Sequence, residues 1–205
     1  MMIALDLPIE QELCWQTHMH NLCANPAYQT ILNDLKNALK NKILSAIEWS
    51  LLDLQNLCFS LHDYDGCVCV ATTRCQYYYL NDTPSAMFQA RDIGIFALSL
   101  AQQVGLLEYE AILYEQLALI ALHEGRSKDA HDHLLDAMAL CEDLNKPYQS
   151  AQLTRWYAEH LAALGAAQEA QQAYQIAINK YAALNAWSLH QQCQQDLQQL
   201  YTQRI

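Results

Sequence analysis

Between Ala111 and Ala182 the apolar positions fall at helical spacing, and the whole pattern occurs twice, end to end. In the first copy Leu117, Ala118 and Ala121 lead to Gly125, then to Ala130, Leu134 and Ala137. In the second, Tyr157, Ala158 and Leu161 lead to Gly165, then to Ala170, Tyr174 and Ala177. Neighbours at helical spacing share one side of a helix, so each copy reads as two helices joined at the glycine. Small residues at Ala118, Ala130, Ala137 and their counterparts let two helix axes approach, where a leucine would hold them apart. Glycine stops the first helix of each copy because it takes the left-handed C-terminal conformation at little cost.

The same periodicity and its breaks predict about ten helices, at roughly 9–24, 26–41, 44–61, 64–80, 84–104, 107–124, 127–144, 147–164, 167–184 and 187–203. Pro8, Pro26, Pro84 and Pro147 each fall at a predicted start, where the missing N–H costs nothing. The connections are short, so neighbouring helices should run antiparallel. Residues 84–104 carry Ala90 and Ala97, in phase with Ala130 and Ala137, whereas the turn at His62–Gly66 is out of phase with them. The chain is therefore divided into N-terminal helices over 1–83, a divergent repeat or a dimerisation or capping part, and repeats over 84–205 in one continuous array. The last helix sets Cys193, Leu197, Leu200 and Tyr201 on one side and glutamine elsewhere, as a capping helix needs.

On these residues the chain resembles the tetratricopeptide repeat family. That family has a small residue late in its first helix, a turn glycine, and alanines at the start of the second helix and two turns on. The period here is 40 rather than the usual ~34. The family's tryptophan and closing proline positions hold Tyr114, Thr154, Glu142 and Ala182. The long form looks like the variant repeats of bacterial regulator and peptide-receptor proteins. The resemblance implies an all-α fold, a right-handed α-solenoid of antiparallel helix pairs whose first helices line a concave groove. Carried over residue by residue, the groove positions are Glu115, Leu119 and His123, then Arg155, Trp156, Glu159 and Ala163, then Gln192, Gln195 and Gln199. The lysine and asparagine with which chaperone-associated members hold a terminal carboxylate are absent at these positions. Trp156 is either a groove anchor or part of the packing between helices.

Composition narrows the partner. Charged residues make up 16 % of the chain, below the usual ~25 %, and glutamine supplies much of the polar surface near the C-terminus. A net charge of −11 argues against nucleic acid and anionic membrane, which need a basic footprint. No stretch reaches the ~20 apolar residues of a membrane span, and no signal peptide is expected from Met1–Leu5, so the cytoplasm is the expected location.

The chemistry-bearing residues do not assemble a known catalytic or metal signature. Cys14 and His18 lie one helical turn apart, with His20 and Cys23 nearby, but the spacing matches no zinc motif. Cys67, Cys69 and Cys75 sit in a predicted helix, where residues two apart point in different directions. The eight cysteines are expected to be reduced, with neither metal nor cofactor bound. His123, His131 and His133 cluster near one turn, either as a pH-sensing group or as solvated turn residues. Tyr77, Tyr78 and Tyr79 cannot all share one buried helix face, so this run is a candidate interface, including one between two copies of the chain. The expectation is a non-enzymatic adaptor that binds a neutral to basic protein or peptide in its groove. A signal-peptide-responsive regulator and a structural dimerisation element remain open alternatives.

Overall fold

The structure is a computed structural model that describes residues 25–41 and 44–202. The predicted first helix at 9–24, with Cys14, His18, His20 and Cys23, lies outside the described residues. Among those described there are nine helices and no strand: α1 (Pro26–Asn41), α2 (Leu44–Ser60), α3 (Tyr64–Leu80), α4 (Pro84–Val104), α5 (Leu107–His123), α6 (Ser127–Asp143), α7 (Pro147–Ala163), α8 (Ala167–Ala183) and α9 (Trp187–Thr202). The starts coincide with those expected from proline and the periodic pattern, and the fold is all-α.

A beat of half the repeat period runs beneath the repeat itself. Gly105, Gly125, Asn145, Gly165 and Asn185 stand at equal intervals, and all take positive φ, between 52° and 78°. After each of them the next N–H reaches back to the carbonyl of a buried residue. Leu106 bonds Ala101, Arg126 bonds Ala121, Lys146 bonds Cys141, Ala166 bonds Leu161 and Ala186 bonds Tyr181, at 2.8–3.0 Å. Each of the helices α4 to α8 is thus closed by the same left-handed cap, and glycine and asparagine are the residues that enter it most cheaply. His62 and Asp82 also take positive φ earlier in the chain. The step from Asp82 to Gly105 is longer than the later ones, because α4 has 21 residues where α2, α3 and α5 to α8 have 17. That longer helix accounts for the mismatch in phase between the His62–Gly66 turn and the later repeats.

The described helices fall into two compact units, divided between Tyr109 and Glu110. In the first, α3 packs against both α2 and α4. Its residues from Gly66 to Thr73 are all buried, together with Cys75, Tyr77 and Tyr78. A helix enclosed on more than one side shows little amphipathic pattern. Its polar members are satisfied locally: Thr72 and Thr73 donate to the Val68 and Cys69 carbonyls at 2.8 and 3.1 Å. The Asp63 carboxylate caps α3 by accepting from the Gly66 N–H at 3.0 Å. A Cβ on Gly66 would collide with that carboxylate and lie 3.0 Å from Cys58 Sγ, so the cap and the approach to α2 both require glycine there.

In the second unit α7 packs against α6 and α8, and α8 against α9. Ala118, Ala158, Ala130, Ala170, Ala137 and Ala177 are all fully buried, as the repeated small positions require. One cluster joins Ala111 and Ala118 of α5 to Leu134, Ala137 and Cys141 of α6 and Leu153 of α7. Another joins α7, α8 and Cys193 of α9 around Tyr174 and Tyr181. On α9, Cys193 is buried, Leu197 and Leu200 pack half-buried against that cluster, and Tyr201 is exposed.

The six cysteines among the described residues are free and buried. Burial pushes the thiols of Cys58 and Cys75 up to about 12, and those of Cys67 and Cys193 to about 11. Thiols so far above neutral pH carry almost no thiolate, the form that reacts.

Candidate functional site

The groove positions expected from the sequence all lie in the second unit. Two of them meet directly. Arg155 on α7 is half-buried, and its Nε lies 3.1 Å from Glu159 Oε1, one turn along the same helix. Across on α9, Asp196 receives both Nε and Nη2 of Arg155 at 2.9 Å. This guanidinium therefore ties α7 to α9. A planar, permanently charged fork suits that task, because one side chain serves two carboxylates. Asp196 was not expected from the sequence. The available signal is its isolation, as the sole carboxylate of α9.

The arrangement leaves a surplus of negative charge. Burial raises the Glu159 carboxyl above the ordinary carboxylate range, outweighing the pull of Arg155, and Asp196 adds to the rise. Gln192, Gln195 and Gln199 are exposed on α9 around Asp196, and Ala163 is exposed at the end of α7. The amides give this face donors and acceptors without further charge.

The remaining groove positions stand apart from this knot. Glu115 and Leu119 are half-buried on α5 and His123 is exposed in its last turn. Burial raises the Glu115 carboxyl. Trp156 is half-buried and packs against the cluster of α5, α6 and α7. Part of its ring is thus committed to holding helices together. In the first unit Tyr77 and Tyr78 are buried, with ring centroids 5.3 Å apart, and Tyr79 is half-buried. The Tyr78 hydroxyl donates to Glu48 at 2.6 Å. The enclosure of α3 places two consecutive rings inside, which its own periodicity does not suggest.

His123 is exposed, as a solvated turn residue would be, but His131 and His133 depart from that reading. His131 and His133 are half-buried. His133 packs near Tyr114 at 5.8 Å, and His131 lies between Tyr157 at 5.2 Å and His160 at 6.3 Å. His160 is only 5 % exposed, and its Nε2 has no hydrogen-bond partner among the described residues. Burial lowers the pKa of His160 and of His133. A hydrogen bond with the Ser127 backbone partly opposes this for His160, and Asp129 and Asp136 oppose it for His133. Below the ordinary histidine pKa of 6.5 the unfolded chain then binds protons that the folded chain does not. Stability should be full above that pH and should decline as pH falls, by up to about 1.4 kcal/mol per unit for each group. Urea unfolding at pH 7.5, 6.5 and 5.5 measures the slope, and His160→Gln should flatten it. An unchanged slope in that variant would remove His160 from the acid response.

A second polar cluster, not anticipated from the sequence, joins Lys180 of α8 to Glu142 of α6 and to Ser150 and Thr154 of α7. It borders a pocket of about 260 Å³. Among the described residues no group of three or more His, Cys, Asp or Glu could hold a metal ion. No helix among them is long and apolar enough to cross a membrane. Comparison of the sequence with models of known protein families and with curated proteins finds no match.

Proposed function

We propose that this chain is a tetratricopeptide-like binding module, a right-handed solenoid of antiparallel helix pairs that holds a neutral or basic segment of a partner protein or peptide. It acts by binding rather than by catalysis, as an adaptor, and works in the cytoplasm, where free thiols such as the six buried ones are kept reduced. The fold reading is supported by the evenly spaced left-handed caps from Gly105 to Asn185 and by the buried alanines that recur every second helix. The observation that carries the functional reading is the α7–α9 face. There Arg155 is already shared between Asp196 and Glu159, so the carboxylates outnumber the cation and three exposed glutamines surround them. Complementary charge speeds encounter and rejects like-charged partners, so an acidic segment is disfavoured.

Pull-down from the native source identifies the partner, and calorimetry at two salt concentrations then tests the face. Glu159→Lys should slow association and weaken its salt dependence, since Glu159 is 44 % exposed and steers more than it anchors. Gln195→Lys, on the exposed side of α9, should act in the same direction without touching the core. Trp156→Ala should cost about 2 kcal/mol of binding if the exposed part of the ring is an anchor. Its thermal unfolding must be recorded alongside, because the buried part packs against a cluster shared by α5, α6 and α7. Wild-type binding by folded Glu159→Lys and Gln195→Lys proteins would rule this face out as the site.

A further inference from the structure

One side of α4 is closed, with Ala86, Ala90, Ala97 and Ala101 buried along it. The other side carries Phe88, Ile95 and Phe96, each between 41 % and 55 % exposed. No other described helix presents as many large apolar side chains in the open. Phe88 and Ile95 stand two turns apart on one line of the helix, with Arg91 and Asp92 on opposite sides of that line. The ring of Phe59, from α2, lies 6.1 Å from Phe96 and widens the apolar surface. Scattered exposed apolar residues need no explanation, but a continuous stripe marks a contact surface.

Charge selects what covers it. The chain carries a net charge of −11, so a second copy is repelled wherever acidic residues dominate the surface. The 21 residues of α4 hold one cation and one anion, Arg91 and Asp92, and no other charge. Two copies can therefore meet here without a like-charge cost. The Arg91 guanidinium lies over the Phe88 ring, 4.9 Å from its centroid, and its Nε stands 3.8 Å from Asp92 Oδ1. That separation is beyond hydrogen-bond range, and the half-exposed Asp92 carboxylate has room for a second guanidinium. With two α4 helices parallel about a two-fold axis, Phe88 and Ile95 meet their own counterparts. Arg91 of each copy then faces Asp92 of the other, because the two residues flank the stripe on opposite sides. A surface that complements itself is what a two-fold contact requires.

We propose that the exposed side of α4 is a contact between two copies of this chain, with an apolar seam of Phe88 and Ile95 flanked by reciprocal Arg91–Asp92 pairs. It replaces the Tyr77–Tyr79 run as the contact between copies, since Tyr77 and Tyr78 are buried. One helix pair, even with Phe59 at its edge, falls short of the ~1,600 Å² of a standard interface, so the dimer is weak, with a Kd on the order of 10–100 µM. The contact lies in the first unit and does not rest on the adaptor reading.

Sedimentation equilibrium of the full chain from about 5 µM to about 1 mM brackets that affinity. The mass should rise from monomer to dimer and no further. Phe88→Ser and Ile95→Ser should each weaken association at least about tenfold. Ile176→Ser, at an exposed apolar residue of α8, is the matched control and should leave it unchanged. Thermal unfolding of each variant confirms that it is folded. The charge test uses two further variants. Asp92→Arg sets cation against cation across the pair, and Arg91→Asp sets carboxylate against carboxylate, so each alone should stay monomeric about tenfold higher in concentration. Mixed in equal amounts, the two should dimerise with each other at close to the wild-type affinity, which no effect within one chain can produce. Four results overturn the proposal. A monomer throughout the range would assign the stripe to a different protein or to another segment of the chain. Wild-type association by folded Phe88→Ser and Ile95→Ser proteins would place the contact elsewhere. Equal weakening by Ile176→Ser would make the association non-specific. A mixture of the charge variants that stays as monomeric as its components would remove the reciprocal pairing.

Discussion

Arg155→Ala is expected to destabilise the protein by roughly 2–4 kcal/mol, the largest effect of any surface-reaching side chain in the second unit. The guanidinium is 15 % exposed and answers two carboxylates, so its removal strands Asp196 and Glu159 together. Asp196, at 23 % exposure, keeps only part of its hydration, and the cluster beneath is built around Tyr174, Tyr181 and Cys193. Breaking a fully buried pair costs about 3–5 kcal/mol, and the partial exposure of both acids places this one lower. The double variant Arg155→Ala with Asp196→Ala should recover part of the loss, because the stranded charge is gone. Urea unfolding of the two single variants and the double variant reads the coupling directly. A single-variant cost below about 0.5 kcal/mol would class the contact with exposed ion pairs, which contribute little. The α7–α9 face would then lack the fixed geometry that the proposed binding role assumes.

Ala170→Leu should cost roughly 1–3 kcal/mol through overpacking. Ala170 is fully buried near the start of α8, in the cluster that also holds Ala158, Ala173 and Ala177. Three added carbons there must push α7 and α8 apart or force side chains off their rotamers. Ala163→Leu, on the exposed end of α7, is the matched control and should stay within about 0.5 kcal/mol of wild type. Thermal unfolding of both variants decides whether the small repeated positions are closest-approach contacts. Equal stability of the two would mean that the helix pair does not close at Ala170.

Much of this architecture is legible along the chain because its determinants are local. Pro26, Pro84 and Pro147 open helices by restricting their own backbone, and Gly105, Gly125 and Gly165 close them by accepting positive φ. Repeated alanines mark close approach because size alone decides it, and all six lie in the core. Asn145 and Asn185 carry the same cap as the glycines, but asparagine has other uses, so the shorter beat is hidden behind the longer one. The phase slip is equally local. It comes from the extra length of α4, which shows only when the caps on both sides are seen.

What tertiary packing decided concerns side chains whose partners are far away in sequence. Arg155 meets Asp196 across 41 residues, and Lys180 meets Glu142 across 38. No helical periodicity relates such positions, since the pairing depends on which faces two separate helices turn toward each other. Burial on more than one side is also a tertiary matter. It encloses Tyr77 and Tyr78 in α3 and His160 in α7, whereas the sequence of each helix marks only its own apolar stripe. The sequence by itself thus determined where helices begin, end and come close. The tertiary structure decided which charges are shared, which are left in surplus and where a pocket opens, because electrostatic energy depends on distance and burial rather than on order along the chain.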